Sequence, residues 1–183
     1  MAKVITFSRT FPAYHPKAGQ PTYFVEAILT QLGIKYKTGG YFKWLVENNP
    51  EISGVFLMKF FDSLKRDVYP KSHTIRNHKK PLKVGDFINP KCWAGKPYNK
   101  TPEGFWQIKF APDIEIKKVW DFEMDLNCVY SVNGKYTNEQ TDYDLAANDG
   151  LTEFDMQFWF MPNMNRPKEF KGQINCWNEN VKY

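Results

Sequence analysis

The densest run of side chains able to do chemistry is Lys71-Ser72-His73-Thr74-Ile75-Arg76-Asn77-His78-Lys79-Lys80. In an extended backbone successive side chains alternate, so Ser72, Thr74 and Arg76 share one face while His73 and Ile75 point to the other. The first face offers hydroxyls and a planar guanidinium. Arg76 suits bidentate contact with a phosphate or a base edge. Thr74 can donate to a base or, beside a proton acceptor, attack an acyl carbon. Lys79 and Lys80 extend the positive charge. The same residues also describe a basic loop entering a strand with a core histidine, a plainer reading that spacing alone favours.

A second group lies in the loop from Lys91 to Lys100, where Trp93 and Tyr98 alternate with Lys91, Lys96 and Lys100. Rings interleaved with cations are the mixture that holds single-stranded or flipped bases. Rings that merely pack the loop fit the pattern equally well. Asp149 stands between Asn148 and Gly150, where a helix stop explains it more simply than a catalytic carboxylate. Of the three histidines, His73 reads as buried and hydrogen-bonded, and His15 and His78 as loop residues. No third or fourth ligand stands near any of them, so no metal site is expected. There is no P-loop, GxGxxG, GxSxG or HExxH, which disfavours common nucleotide hydrolases, Rossmann enzymes, serine hydrolases and zincins and gives no reason to expect a cofactor.

These residues need elements to hold them. Lys3 to Phe7 reads as a strand, followed by a loop from Ser8 to Gln20. Pro21 suits a first helical turn, with Phe24, Ile28, Leu29 and Leu32 at helical spacing and Gly33 as the stop. Tyr41–Glu47 and Ile52–Leu64 read as two further helices around Asn49-Pro50, within a stretch (35–69) that fits a helical insertion. His73–Arg76 reads as a strand end or a tight loop, Leu82–Ile88 contains a Lys83-Val84-Gly85-Asp86 turn leading into a strand, and strands are expected at Gly104–Phe110 and at Ile114–Met124 with Ile114, Ile116 and Trp120 in the core. Val129–Thr137 reads as a hairpin whose Asn133-Gly134 turn needs two positive φ angles. Capping boxes at Thr137/Gln140 and Thr152/Asp155 announce two short helices, and Gly172–Trp177 reads as the last strand. Short strands with marginal helices indicate an α+β fold with the sheet closed.

Composition sets the class. The 183 residues, 42% hydrophobic and 17% aromatic, are enough for a real core and argue against disorder. Cys92, Cys128 and Cys176 form no CxxC pair, and with no apolar leader or spanning run the chain reads as cytoplasmic, with no membrane partner. The net charge of +5 hides an asymmetry: positions 59–118 hold 14 Lys and Arg against 6 acids, while 121–155 hold 1 Lys against 9 acids. A basic middle with interleaved rings fits phosphates, and a well-solvated surface fits it as well.

Lys71-Ser72-His73-Thr74-Ile75-Arg76 followed by Lys83-Val84-Gly85-Asp86 resembles the K-x-x-T-I-R … G-D pattern of ASCH domains, a branch of the PUA-like superfamily. The segment Asn148-Asp149-Gly150-Leu151 and the stretch from Phe170 to Trp177 fit the same plan. The resemblance implies one PUA-like domain over residues 1–183, a small closed β-barrel with peripheral helices and a basic cleft that binds RNA or a modified nucleobase, DNA being a further candidate. Arg76, Lys79, Lys80, Trp93, Lys96 and Tyr98 would then be ligand contacts. One ASCH subgroup hydrolyses N4-acetylcytidine with a lysine, a threonine and an acid. Carried over, these fall on Lys71, Thr74 and Asp149. This chain differs in having Asp in place of Glu, His73 before the threonine, and greater length. A domain that binds another protein through its oppositely charged segments is a third reading.

Overall fold

The computed structural model describes residues 2–77, 79–161 and 168–183. These form a mixed α+β fold with five helices and nine strands in two sheets. The chain divides into two compact units, each assembled from separated pieces: 1–9, 23–70 and 87–114 make one, and 10–22, 71–86 and 115–183 the other.

The first unit contains β1 (Lys3–Phe7), α1 (Phe24–Gln31), α2 (Gly39–Asn48), α3 (Gly54–Ser63), β3 (Phe87–Trp93) and β4 (Gln107–Lys109). Its sheet runs β1-β3-β4, with β1 parallel and β4 antiparallel to β3. Alternation sends Phe7, Cys92 and Ile108 into the core, and Val25, Ile28 and Leu29 of α1, Leu45 of α2 and Leu57 of α3 are likewise nearly or wholly buried. The opposite face carries Thr6, Lys91, Trp93, Gln107 and Lys109. Pro21 does not open a helix. It bridges Thr10 across a loop, and α1 starts later, after Tyr23 at φ +57°. Gly33 does end α1, at φ +67°, with its N–H donating to Thr30. The helices α2 and α3 fall where the two hydrophobic runs place them, capped by Thr38 and Ser53.

The second unit contains β2 (His73–Arg76), β6 (Lys118–Met124), β7 (Tyr130–Val132), β8 (Lys135–Tyr136), α4 (Glu139–Asn148), α5 (Glu153–Phe160) and β9 (Phe170–Cys176). The two-residue β5 (Ile114–Glu115) is the fourth strand of the first sheet, so the single long strand expected from Ile114 to Met124 is broken at Ile116-Lys117. The order β2-β9-β6-β7-β8 places the last strand in the middle of the sheet. Neither sheet closes on itself among the described residues. β9 is flanked on both sides already, by β2 and β6, and the outermost β8 is only two residues long. The barrel expected from many short strands is therefore not what the pairing gives.

Gly172 lets β9 lie where it does: a Cβ there would stand 2.7 Å from the Phe170 ring and 2.8 Å from the Arg76 carbonyl oxygen. Asn133 and Gly134 adopt φ +49° and +73°, the two left-handed residues the hairpin demands. The cap of α4 is Asn138 rather than Thr137, its Oδ1 accepting from Thr141 N–H. The cap of α5 is Thr152, as its box announces.

Candidate functional site

Two places hold side chains able to act on a ligand, one in each unit. In the first unit the outer sheet face is the floor of an open cleft of about 740 Å³, lined by Glu51, Ile52, Lys91, Trp93, Glu103, Gly104, Phe105, Trp106 and Gln107. Register explains the floor: Trp93 pairs with Gln107 and Lys91 with Lys109, so these alternate residues face one way.

One wall is fixed by Asn49, which is buried and pairs with the free edge of β4 as another strand would. Lys109 N–H donates to its Oδ1 at 2.7 Å, and its Nδ2 donates to the Lys109 carbonyl at 2.9 Å. This occupies an edge that would otherwise stand unpaired, and it brings the next turn, with Glu51 and Ile52, to the cleft. The other wall is the loop from Ala94 to Trp106. Thr101 is its anchor, its N–H donating to Phe105 O at 2.8 Å and its Oγ1 accepting from Phe105 N–H at 3.2 Å.

That loop holds Tyr98 80% exposed at φ +61°. A bulky side chain in the left-handed region costs about 1–3 kcal/mol and must be held there by its surroundings. Its ring sits 4.9 Å from that of Trp93, which is 6.2 Å from that of the half-exposed Trp106. Lys96 and Lys100 are exposed on the same loop. The structure places Trp93 at the end of β3 rather than in a loop, brings it beside Tyr98, and adds Trp106, Glu51 and Glu103. Trp106 falls in a segment expected to be strand. Within Gly104–Phe110 only Gln107–Lys109 is strand, and Gly104–Trp106 is the loop's return, closed by Ala94 N–H donating to Trp106 O.

The second place is a closed polar network. Lys71 precedes β2, and Asp149 caps the C-terminus of α4, just before Gly150 at φ +75°. Both are buried. Lys71 Nζ donates to Asp149 Oδ1 at 2.5 Å and also to the Asp149 carbonyl oxygen. His73 Nδ1 stands 3.6 Å from the same Oδ1, within ion-pair reach but too long for a hydrogen bond. Its Nε2 is 2.7 Å from the Tyr183 hydroxyl, and the Tyr183 ring meets Trp120 edge-on at 5.1 Å.

Burial pulls the Lys71 ammonium down to about 8 against the opposing pull of Asp149. Burial likewise lowers His73 and raises Tyr183. Burial alone would raise Asp149, but the Lys71 charge and His73 hold it below the usual carboxylate range. The pair is therefore ionic near neutral pH, and a proton leaving Lys71 has Asp149 as its nearest acceptor.

Thr74 is buried on β2, opposite Asn175 of β9, and its Oγ1 accepts from Arg76 Nε at 3.2 Å. Thr74 and Arg76 thus share a face, as alternation requires. The Asn175 Oδ1 is buried without a hydrogen-bond partner. Lys79 and Lys80 are exposed beyond β2, and His78 lies outside the described residues. His15, expected in a loop, is in one but buried. Its ring stacks on Phe11 at 4.4 Å, and its Nδ1 accepts from Lys17 N–H. Among the described residues no group of three or more His, Cys, Asp or Glu is placed to hold a metal, and no helix is long and apolar enough to cross a membrane.

Scans against protein-family models, curated proteins and solved structures each returned no match to the chain.

Proposed function

We propose that the protein binds single-stranded nucleic acid or a modified nucleobase, with RNA the preferred polymer and DNA a weaker one. The observation that carries this reading is the open cleft of the first unit. Trp93 and Trp106 line it, Tyr98 is held outward beside them at a backbone cost, and Lys91, Lys96 and Lys100 supply cations at or near it. Aromatic faces receive bases and cations receive the phosphates between them. Arg76, Lys79 and Lys80, on and after β2, are proposed as further polyanion contacts, in keeping with the ASCH resemblance of the chain. A fluorescent single-stranded oligonucleotide titrated at several salt concentrations tests the reading. Binding should weaken with salt as phosphate contacts release counterions. Absence of binding at low salt would rule the reading out.

The Lys71–Asp149 pair favours a second reading, an amidohydrolase acting on an acylated nucleoside such as N4-acetylcytidine. A wholly buried lysine lowered to about 8 beside a carboxylate is the kind of group that passes protons at neutral pH. In this reading the neutral form of Lys71 takes the Thr74 proton as Thr74 Oγ1 bonds to the acyl carbon, the proton passes to the departing amine as the C–N bond breaks, and water then hydrolyses the acyl-threonine ester to free the acid and restore Thr74. Mass-spectrometric turnover of a panel of acylated nucleosides, with Thr74→Ala alongside, decides it. Turnover by the parent and none by the variant supports hydrolysis, and no turnover by either refutes it.

A further inference from the structure

We infer that the cleft of the first unit selects bases that carry an exocyclic amino group, taking cytosine in preference to uracil; the inference rests on the nucleic-acid reading of the same cleft. The argument begins with charge. The cleft is lined by one cation, Lys91, and two carboxylates, Glu51 and Glu103. A phosphate inside it would meet two like charges for one opposite charge. The further cations of the adjoining loop, Lys96 and Lys100, are exposed and are not part of the lining. The layout therefore sends a base inward and leaves the backbone phosphates to the loop.

Hydrogen-bonding capacity says which base. Carboxylates only accept. Gln107 donates one Nε2 hydrogen to Thr6 Oγ1 at 2.7 Å, which fixes the orientation of its carboxamide. The two carboxylates of the lining offer only acceptors, and a base edge that meets them must donate. Cytosine presents its N4 amino group at the position where uracil presents a carbonyl oxygen, and a carboxylate accepting from cytosine N4 is a recurring pairing. Lys91 remains as a donor for the carbonyl oxygen of the same base. The rings give stacking that any base can use. Discrimination therefore falls to the acceptors, and the two pyrimidines, nearly equal in size, separate it from shape.

Glu51 and Glu103 are exposed, so Glu51→Gln and Glu103→Gln leave the core untouched. The experiment compares fluorescein-labelled single-stranded oligocytidine and oligouridine of equal length, by anisotropy at one low salt concentration, with the parent and the double variant E51Q/E103Q. Circular dichroism confirms that the variant is folded. The expected result is a preference of the parent for oligocytidine of about tenfold, as one base-edge pairing supports. In the double variant the preference falls to about twofold or less, because a carboxamide can turn its N–H toward the uracil oxygen. Equal binding of the two oligomers by the parent, or tighter binding of oligouridine, overturns the selectivity while leaving the nucleic-acid reading standing. An undiminished preference in the double variant overturns the role given to the carboxylates. Binding of neither oligomer overturns both the inference and the reading beneath it.

Discussion

The two units treat their polar side chains in opposite ways. In the second, Lys71 and Asp149 are sealed from water and satisfy one another, and His73 and Tyr183 continue the network outward. In the first, Trp93, Trp106, Tyr98 and Lys91 stand around an open cleft whose lining is half-exposed. A sealed network has large energetic consequences for the protein itself, since each group lost leaves a partner in a poor solvent. An open set of rings and cations matters little to folding and much to whatever arrives. The difference teaches where stability and binding should separate under mutation.

The separation should be greatest at Asp149. Asp149→Ala leaves the Lys71 ammonium buried without its counter-charge and should cost about 3–5 kcal/mol of stability, read from urea unfolding. Oligonucleotide binding by the folded fraction should be unchanged. The double variant Lys71→Met/Asp149→Leu should recover much of that loss, since well-packed apolar groups replace buried ion pairs well. The converse holds in the cleft. Tyr98→Ala and Trp106→Ala should each weaken single-stranded binding by about 1–3 kcal/mol, with the unfolding midpoint unmoved.

A pH series sharpens the contrast. Lys71 is lowered from 10.5 to about 8 in the folded protein, so above pH 8 the unfolded chain holds the proton more tightly than the folded one does. Its contribution to stability must therefore rise with pH through that window, by at most about 1.4 kcal/mol per pH unit. Burial raises Cys92 to about 12 and Cys176 to about 11, so these thiols work in the opposite direction once unfolded cysteines ionise near 9. The parent should accordingly gain on Lys71→Met between pH 8 and 9, measured as the difference between their unfolding curves. A flat or falling difference would mean that Lys71 is not desolvated as the structure has it. Tyr183→Phe removes only the hydroxyl bonded to His73 and should cost about 0.5–1.5 kcal/mol, without effect on binding. Smallest of all, Lys96→Ala should leave stability alone and reduce the slope of log affinity against log salt by about 0.7.

What the sequence discloses follows from the range of the forces involved. The Asn133-Gly134 turn, the Gly33 stop and the Thr152 cap are legible because each is settled by a few neighbouring residues. The cap of α4 moves one residue, from Thr137 to Asn138, since both side chains offer an acceptor and only the tertiary setting chooses. Pro21 misleads because its fixed φ serves a bridge to Thr10 as well as it serves a helix. The aromatic loop is legible in composition, and its rings do meet. The contribution of Glu51 is not legible, because it depends on Asn49 pairing with Lys109 sixty residues away. Lys71 and Asp149 are 78 residues apart, and in the sequence only the ASCH resemblance links them. Nothing local marks Tyr183 as the partner of His73, or β9 as a central strand that leaves the sheet open.

The central claim is that the rings of the first unit's cleft receive bases. The most direct measurement is quenching of intrinsic tryptophan fluorescence by a single-stranded oligonucleotide, with the Tyr98→Ala/Trp106→Ala double variant beside the parent at equal ionic strength. Saturable quenching in the parent, with affinity in the variant reduced by about a hundredfold or more, is the result expected from the loss of two stacking platforms. Equal affinity in the two proteins would contradict the claim and place any nucleic-acid contact elsewhere on the chain.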